Sequence, residues 1–340
     1  MKERIKIRGL DSLRFIAFFW VFIGHSTPYC RYGYYGIYVF FVLSSFLLTY
    51  LALLEIEQTN RFSRRNFFIR RALRIYPLYY LIIISCFIFL PILERYLNTS
   101  ISLPQKKYLY FLFLSNFDSS DHIFALKFLW SISVEEQFYI TFIFLSFFLK
   151  NHIYIPVILL YIIYMAGVVG SQYFHWNLYM LTTTYFPDFA SGMIAGILFF
   201  HKKVPVIRMT AGLVAVFFLM SYMFSHISIL NQFIELPISF LIASVILFVI
   251  KLFENYPIKG FLITSLEYLG KLTYGLYVYS GFIITFTMIV LPNGSLLHKF
   301  IFESIILFIV AWLSYFLFEI NFIKLKNRFK RIPNQQHSSV

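Results

Sequence analysis

Residues 34–54 read YYGIYVFFVLSSFLLTYLALL, twenty-one positions without one charged side chain. A hydrocarbon core about 30 Å thick needs about 20 mostly apolar residues in helical conformation, and this stretch has the required length. Working outward with the same ruler yields ten spans: 11–28, 34–54, 72–93, 131–149, 153–171, 182–201, 206–226, 231–251, 267–291 and 299–320. The composition of the 340-residue chain agrees. Hydrophobic residues make up 60% of it and charged residues 13%, against roughly 45–50% and 25% in soluble domains. A soluble globule this apolar could not cover its surface. Two cysteines are too few for a disulfide scaffold, and so apolar a chain is not a disordered one. The expected fold is an all-α polytopic membrane protein, about ten transmembrane helices in one bundle. A further apolar run, Tyr108 to Phe117, is too short to cross and reads as interfacial or re-entrant.

Lys and Arg concentrate on the cytoplasmic side of membrane proteins. With the N-terminus inside, 21 of the 29 basic residues fall in inside segments and 6 outside, with Arg14 and Lys271 within helices. The expected topology is therefore N-in and C-in. Residues 1–10 form a cytoplasmic N-terminus, 11–320 the transmembrane domain and 321–340 a basic cytoplasmic tail. The net charge of +14 follows from this bias and gives no reason to expect nucleic acid as a partner. The first apolar run has a basic start, but it carries Arg14 and His25 and lacks a small-residue cleavage site, so it reads as a retained helix. Cys30 and Cys86 read as unpaired, inert thiols.

Ionisable groups within spans are costly, by roughly 3 kcal/mol on insertion scales, and each calls for a reason. Arg14 and His25 are eleven positions apart on the first helix. They return to nearly one face, about 16 Å apart along the axis, with Arg14 toward the cytoplasm and His25 toward the outside. Snorkelling or simple packing is the plain alternative for either. The fourth span opens Trp130-Ser-Ile-Ser-Val-Glu135-Glu136-Gln137-Phe-Tyr139 and puts its two carboxylates at the depth of His25. An imidazole beside a carboxylate is suited to deprotonating a hydroxyl. Adjacent residues point about 100° apart, so one Glu can serve His25 while the other packs or meets solvent. Complementing a helix dipole is the alternative.

On the cytoplasmic side, Arg70, Arg71 and Arg74 crowd one side of the entry to the third helix, where guanidinium forks suit phosphate oxygens of a nucleotide or coenzyme A. Positive-inside anchoring would also explain them. Asp188 lies in Tyr185-Phe-Pro-Asp-Phe-Ala-Ser-Gly192-Met-Ile-Ala-Gly196. Pro187 frees a backbone carbonyl there, the two glycines permit close helix contact, and a structural role would explain the intramembrane Asp188 carboxylate. Glu319 ends the last span near the basic clusters and reads as structural. The long outer loop 94–130 mixes aromatic and polar residues, among them Lys106, Lys107, Tyr108, Tyr110, Asn116, Asp118, Asp121 and His122. Such loops can hold sugars, although a solvated connection is the default. No metal-ligand grouping is expected.

Four blocks in order resemble the membrane acyltransferase 3 family. The first is Gly9-Leu10-Asp11-Ser12-Leu13-Arg14, with His25 at the family's spacing after the arginine. The second is Gly36-Ile-Tyr-Val-Phe40-Phe41-Val-Leu43-Ser44-Ser45-Phe46-Leu47, where Ser45 replaces a usual glycine. The third and fourth are Arg70-Arg71-x-x-Arg74-x-x-Pro77 and Trp130 to Tyr139. Leu269 to Ser280 resembles a further block, with Ser280 where a histidine is common. The resemblance implies O-acylation, often O-acetylation, of a glycan such as lipopolysaccharide, capsule or exopolysaccharide, with cytoplasmic acetyl-CoA as donor, in a bacterial inner membrane. It implies His25 as the catalytic residue and Arg14, Arg71 and Arg74 as donor contacts. Some relatives carry an added hydrolase-like domain. This chain ends about 20 residues past its last span, so none is expected here. A polysaccharide-unit transporter is the rival class, since intramembrane charges also mark substrate paths, but no inverted repeat is visible.

Overall fold

A backbone inside a bilayer must satisfy its own hydrogen bonds, which leaves an apolar chain of this kind the helix as its local solution. The computed structural model describes residues 7–97, 102–120, 124–175, 177–202, 233, 235–256 and 260–329. Every regular element among them is helical. The longer helices are α1 (Leu10–Ser26), α2 (Tyr35–Thr59), α3 (Arg64–Leu97), α6 (Leu129–Leu145), α7 (Ile155–Phe174), α8 (Phe186–Phe200), α9 (Glu235–Asn255), α10 (Phe261–Val290) and α11 (Leu296–Ser314). Two single-turn helices, α4 (Tyr108–Phe111) and α5 (Phe124–Lys127), lie between α3 and α6, and a π turn at Tyr315–Glu319 joins α11 to α12 (Ile320–Lys326).

Among the described residues, six helices are long and apolar enough to cross a membrane: α2, α3, α7, α9, α10 and the rod Leu296–Phe329. They coincide with the spans expected at 34–54, 72–93, 153–171, 231–251, 267–291 and 299–320. The helices at the other three described positions are shorter, with 17 residues in α1, 17 in α6 and 15 in α8. A 17-residue helix rises about 25 Å, somewhat less than the hydrocarbon core. The span expected at 206–226 lies outside the described residues. Apolar stripes on the outside of the bundle fit lipid as solvent. Ile158, Ile162, Met165 and Val169 recur at helical spacing on α7 and all are exposed, an arrangement that water would penalise.

Several edges differ from the sequence expectation for local reasons. The α8 helix starts at Phe186 instead of 182, because Pro187 sits in its first turn, where a fixed φ and a missing N–H are tolerated. Residues Thr182–Tyr185 form a 3-10 turn before it. The α3 helix starts at Arg64 and continues through Pro77 and Pro91. The Tyr108 to Phe117 run folds back on the bundle, with Tyr110 1% exposed and its carbonyl accepting a hydrogen bond from the Tyr79 hydroxyl at 2.8 Å. Both cysteines are free, and Cys86 is buried.

Two close backbone approaches set the frame for the site. A Cβ at Gly192 on α8 would lie 2.4 Å from the Val42 carbonyl oxygen of α2, and one at Gly270 on α10 would lie 2.0 Å from the Asp11 carbonyl oxygen of α1. Opposite Gly192 stands Ser45, whose hydroxyl donates to the Phe189 carbonyl at 2.5 Å. The smaller partner at this contact is thus supplied by α8, which accounts for how α2 accommodates a serine where the resembled block has glycine.

Gly192→Ala should lower stability by about 1–3 kcal/mol, the usual cost of overpacking, read as a lower melting midpoint of the detergent-solubilised protein. Gly260→Ala, where a Cβ meets no described atom within 4 Å, should melt like the parent. Equal midpoints for all three proteins would refute the tight α2–α8 contact.

Candidate active site

The first helix carries Arg14 and His25 on nearly one face, and they open into two adjoining cavities. Arg14, Arg71, Arg74 and Glu135 line an inner cavity of about 90 Å³. His25 lines an outer cavity of about 260 Å³. Ile37 of α2 and Tyr277 of α10 line both and form the wall between them. The Tyr277 hydroxyl is held at 2.6 Å from the Ser131 hydroxyl and donates to the Phe128 carbonyl at 3.2 Å.

The inner cavity is strongly basic. Arg14 is tied to Asp11 at 2.9 Å, one turn away on α1. The Arg71 guanidinium lies 5.4 Å from the centre of the Tyr139 ring, within cation–π range. Neither Arg71 nor Arg74 has a hydrogen-bonding partner among the described residues. Glu135 is the one acidic side chain lining the cavity, and its Oε1 accepts from both the Ser44 and Tyr139 hydroxyls. The Tyr274 hydroxyl donates to the Ile75 carbonyl at 2.7 Å, pinning α10 to the turn of α3 that presents Arg74. Three guanidiniums against two engaged carboxylates, Asp11 on Arg14 and Glu135 within the cavity, leave an excess of positive charge, with Arg71 and Arg74 lacking a hydrogen-bonded anion among the described residues.

The outer cavity is aromatic and polar. His25 packs at 4.6 Å from the Phe128 ring and 5.4 Å from the Phe124 ring. Trp130 and Tyr179, their rings 5.0 Å apart, make a further wall. Asn116 is fixed by the Met180 carbonyl at 2.7 Å and the Gln137 amide at 2.8 Å. The Tyr110 hydroxyl donates to Asp118 at 3.0 Å. Burial, then the Asp118 charge, push the Tyr110 phenol above its ordinary value, which keeps it a donor.

The structure therefore joins some expected residues and separates others. Arg14, Arg71, Arg74 and Glu135 converge. Arg70 does not: it pairs with Glu55 at 3.5 Å and donates to the Phe329 carbonyl at 2.9 Å, outside the cavity. The expected neighbourhood of His25 with Glu135 and Glu136 is corrected as well. Among the described residues His25 has no hydrogen bond to either. The α6 helix begins at Leu129, so Phe128 and Trp130 occupy the level of His25 while Glu135 lies more than a turn deeper. Glu136, about 100° around the helix, is 3% exposed and away from both cavities, in electrostatic reach of Tyr76 of α3. Glu319 is buried on the π turn and accepts from Ser314 at 3.1 Å. Sequence reasoning missed Ile37, Ser44, Ser131, Tyr139, Tyr274 and Tyr277 as site residues. The i,i+3 pair Tyr274 and Tyr277 inside a quoted block was the available signal, since both fall on one helix face.

A family model described as an acyltransferase domain matches residues 7–319. The chain belongs to the acyltransferase 3 family. Among curated relatives, the peptidoglycan O-acetyltransferase OatA of Listeria monocytogenes is 28% identical over 92% of this chain and 55% of its own length. A putative peptidoglycan O-acetyltransferase of Bacillus subtilis is 36% identical over 39% of this chain and 23% of its own length. A putative O-acetyltransferase of Staphylococcus aureus is 30% identical over 42% and 25%. The chain thus spans about half or less of the length of these relatives. No solved structure matches it.

If the arginine cavity is an anion site, inorganic pyrophosphate should raise the melting midpoint of the purified protein. Saturation at a hundred times Kd is worth about 2.7 kcal/mol. The shift should vanish in Arg71→Ala and Arg74→Ala and persist in Arg70→Ala. A shift lost equally in all three would mean general charge screening.

Proposed function

We propose that this acyltransferase is an O-acetyltransferase of the cell envelope. It takes an acetyl group from acetyl-CoA on the cytoplasmic side and delivers it to a hydroxyl of a glycan on the far side of a bacterial inner membrane. The observation that carries this reading is the pairing of a basic cavity with a histidine cavity across one shared wall. The bundle is read as ten crossings with both termini inside, as the 21 to 6 division of basic residues supports. The inner cavity, about 90 Å³, is the smaller of the two, and its three guanidiniums suit the phosphate groups of the donor.

In this scheme Arg14, Arg71 and Arg74 hold the donor's phosphates by charge-assisted bonds. Glu135, fixed by Ser44 and Tyr139, keeps the guanidiniums apart and oriented. His25 accepts the proton of the glycan hydroxyl as that oxygen attacks the thioester carbonyl. The carbon–sulfur bond then breaks, and the thiolate leaves and takes up a proton. Trp130 and Tyr179 offer apolar faces to a sugar ring, and Asn116 and Asp118 offer polar contacts to its hydroxyls. The relatives named as peptidoglycan O-acetyltransferases support a cell-wall glycan as acceptor.

His25→Ala should lower transfer by 10²–10⁴-fold, the typical worth of a general base, in protein that still accumulates in the membrane. Mass spectrometry of host glycans reads the outcome, and near-normal acetylation would remove His25 from the chemistry. Sidedness has a separate test. In inside-out vesicles, labelled acetyl-CoA added externally should label a lumenal glycan. Labelling only of an acceptor on the donor's own side would overturn the through-membrane path and leave acyl transfer intact.

A further inference from the structure

The first turn of α8 holds a carboxylate for which the acyl-transfer scheme has no use. Asp188 is 0% exposed, and neither of its oxygens has a hydrogen-bond partner among the described residues. Across from it is Glu235, at the start of α9. One Glu235 oxygen accepts from the Tyr38 hydroxyl of α2 at 3.0 Å, and the other has no partner among the described residues. The two helices are in register here. The Ser191 and Ser239 hydroxyls meet at 2.9 Å, three residues beyond Asp188 and four beyond Glu235. That contact sets the two carboxylates level with each other, one turn away on the same faces, and they interact electrostatically.

The described residues around the pair are uncharged. Among the described residues, the titratable groups facing it are Tyr35 and Tyr38 from α2, Tyr161 and Tyr164 from α7, and Tyr185 from the turn before α8. Among the described residues, no Lys, Arg or His acts on Asp188 or Glu235. A helix N-terminus favours one negative charge by at most about 2 kcal/mol, which is too little to hold two in apolar surroundings. Two carboxylates in such a place cannot both stay ionised.

We propose that Asp188 and Glu235 form an intramembrane proton-binding site that holds one proton between them and exchanges it reversibly. Its location gives the proton a route to influence the site. Tyr185 lies between the pair and both cavities, 5.3 Å from Trp130 in the outer wall and 5.3 Å from Phe41 in the inner wall, and 6.0 Å from Tyr38. Release of the proton puts an uncompensated charge behind this aromatic group and against the tight α2–α8 contact. The site itself does not depend on the acyl-transfer reading.

The test is infrared difference spectroscopy of the purified, full-length protein through a pH titration. The parent should show a protonated-carboxyl band at neutral pH that disappears on alkalinisation. Asp188→Asn and Glu235→Gln should each remove that titrating band. In parallel, the melting midpoint of the parent should fall as pH rises, because the folded state holds a proton that the unfolded chain gives up more readily. Asp188→Asn, neutral at every pH, should lose most of that dependence. Absence of the band in the parent, or its persistence in both variants, would overturn the proposal. So would a midpoint that rises with sodium at fixed pH in the parent and not in Asp188→Asn, which would assign the site to a metal cation.

Discussion

Three guanidiniums brought to one cavity inside a helix bundle impose the constraint from which much of this architecture follows. Arginine stays charged at any accessible pH, so burial cannot be relieved by losing a proton. The bundle answers by sharing the charge out. Asp11 takes Arg14, the Tyr139 ring lies by Arg71, and Glu135 is locked by Ser44 and Tyr139 as a fixed counter-charge. The contacts of Glu135 and Arg71 draw α2, α3 and α6 together, and the Tyr274 bond to Ile75 adds α10. Positive charge still exceeds negative in the cavity, an imbalance that favours a bound anion over further protein contacts.

The neighbouring arginines show how different the outcome can be within one basic cluster. Arg64 lies 3.4 Å over the Phe147 ring and donates to Ser146 at 3.0 Å. Arg70 meets Glu55, a buried carboxylate that also accepts from the Ser63 backbone. Both are fully used in holding helix ends together. Arg71, the next residue on α3, and Arg74, one turn beyond Arg70, line the cavity instead. Anchor and site are thus built from one run of sequence and differ in helix face and depth.

The wall made by Ile37 and Tyr277 separates two chemically unlike spaces, one cationic and one aromatic with a histidine. Tyr277 is held by Ser131 and the Phe128 carbonyl, and Phe128 also packs on His25. The start of α6 therefore contacts the partition and the histidine at once. The α8 helix braces the same region from behind. Phe189 stacks on Phe138 of α6 at 3.8 Å, and Tyr185 reaches Trp130. A change of charge at Asp188 would act on this brace, not on the reacting groups directly.

The chain by itself determined the membrane class, most helix positions and the family. Those properties lie along the sequence as runs of apolar residues and short ordered blocks. It also determined that Arg14 and His25 share a face, because helical periodicity alone requires it. Only the tertiary structure decided that they open into separate cavities, that Arg70 leaves the cluster, and that aromatic rings stand beside His25 where a glutamate was expected. It also revealed Tyr277 as a partition and Glu235 as the neighbour of Asp188. The physical reason is common to all of these. A side chain's partner depends on the rotation and depth of the helix packed against it, and those are set by contacts such as Gly192 on Val42 and Gly270 on Asp11, between residues far apart in the chain.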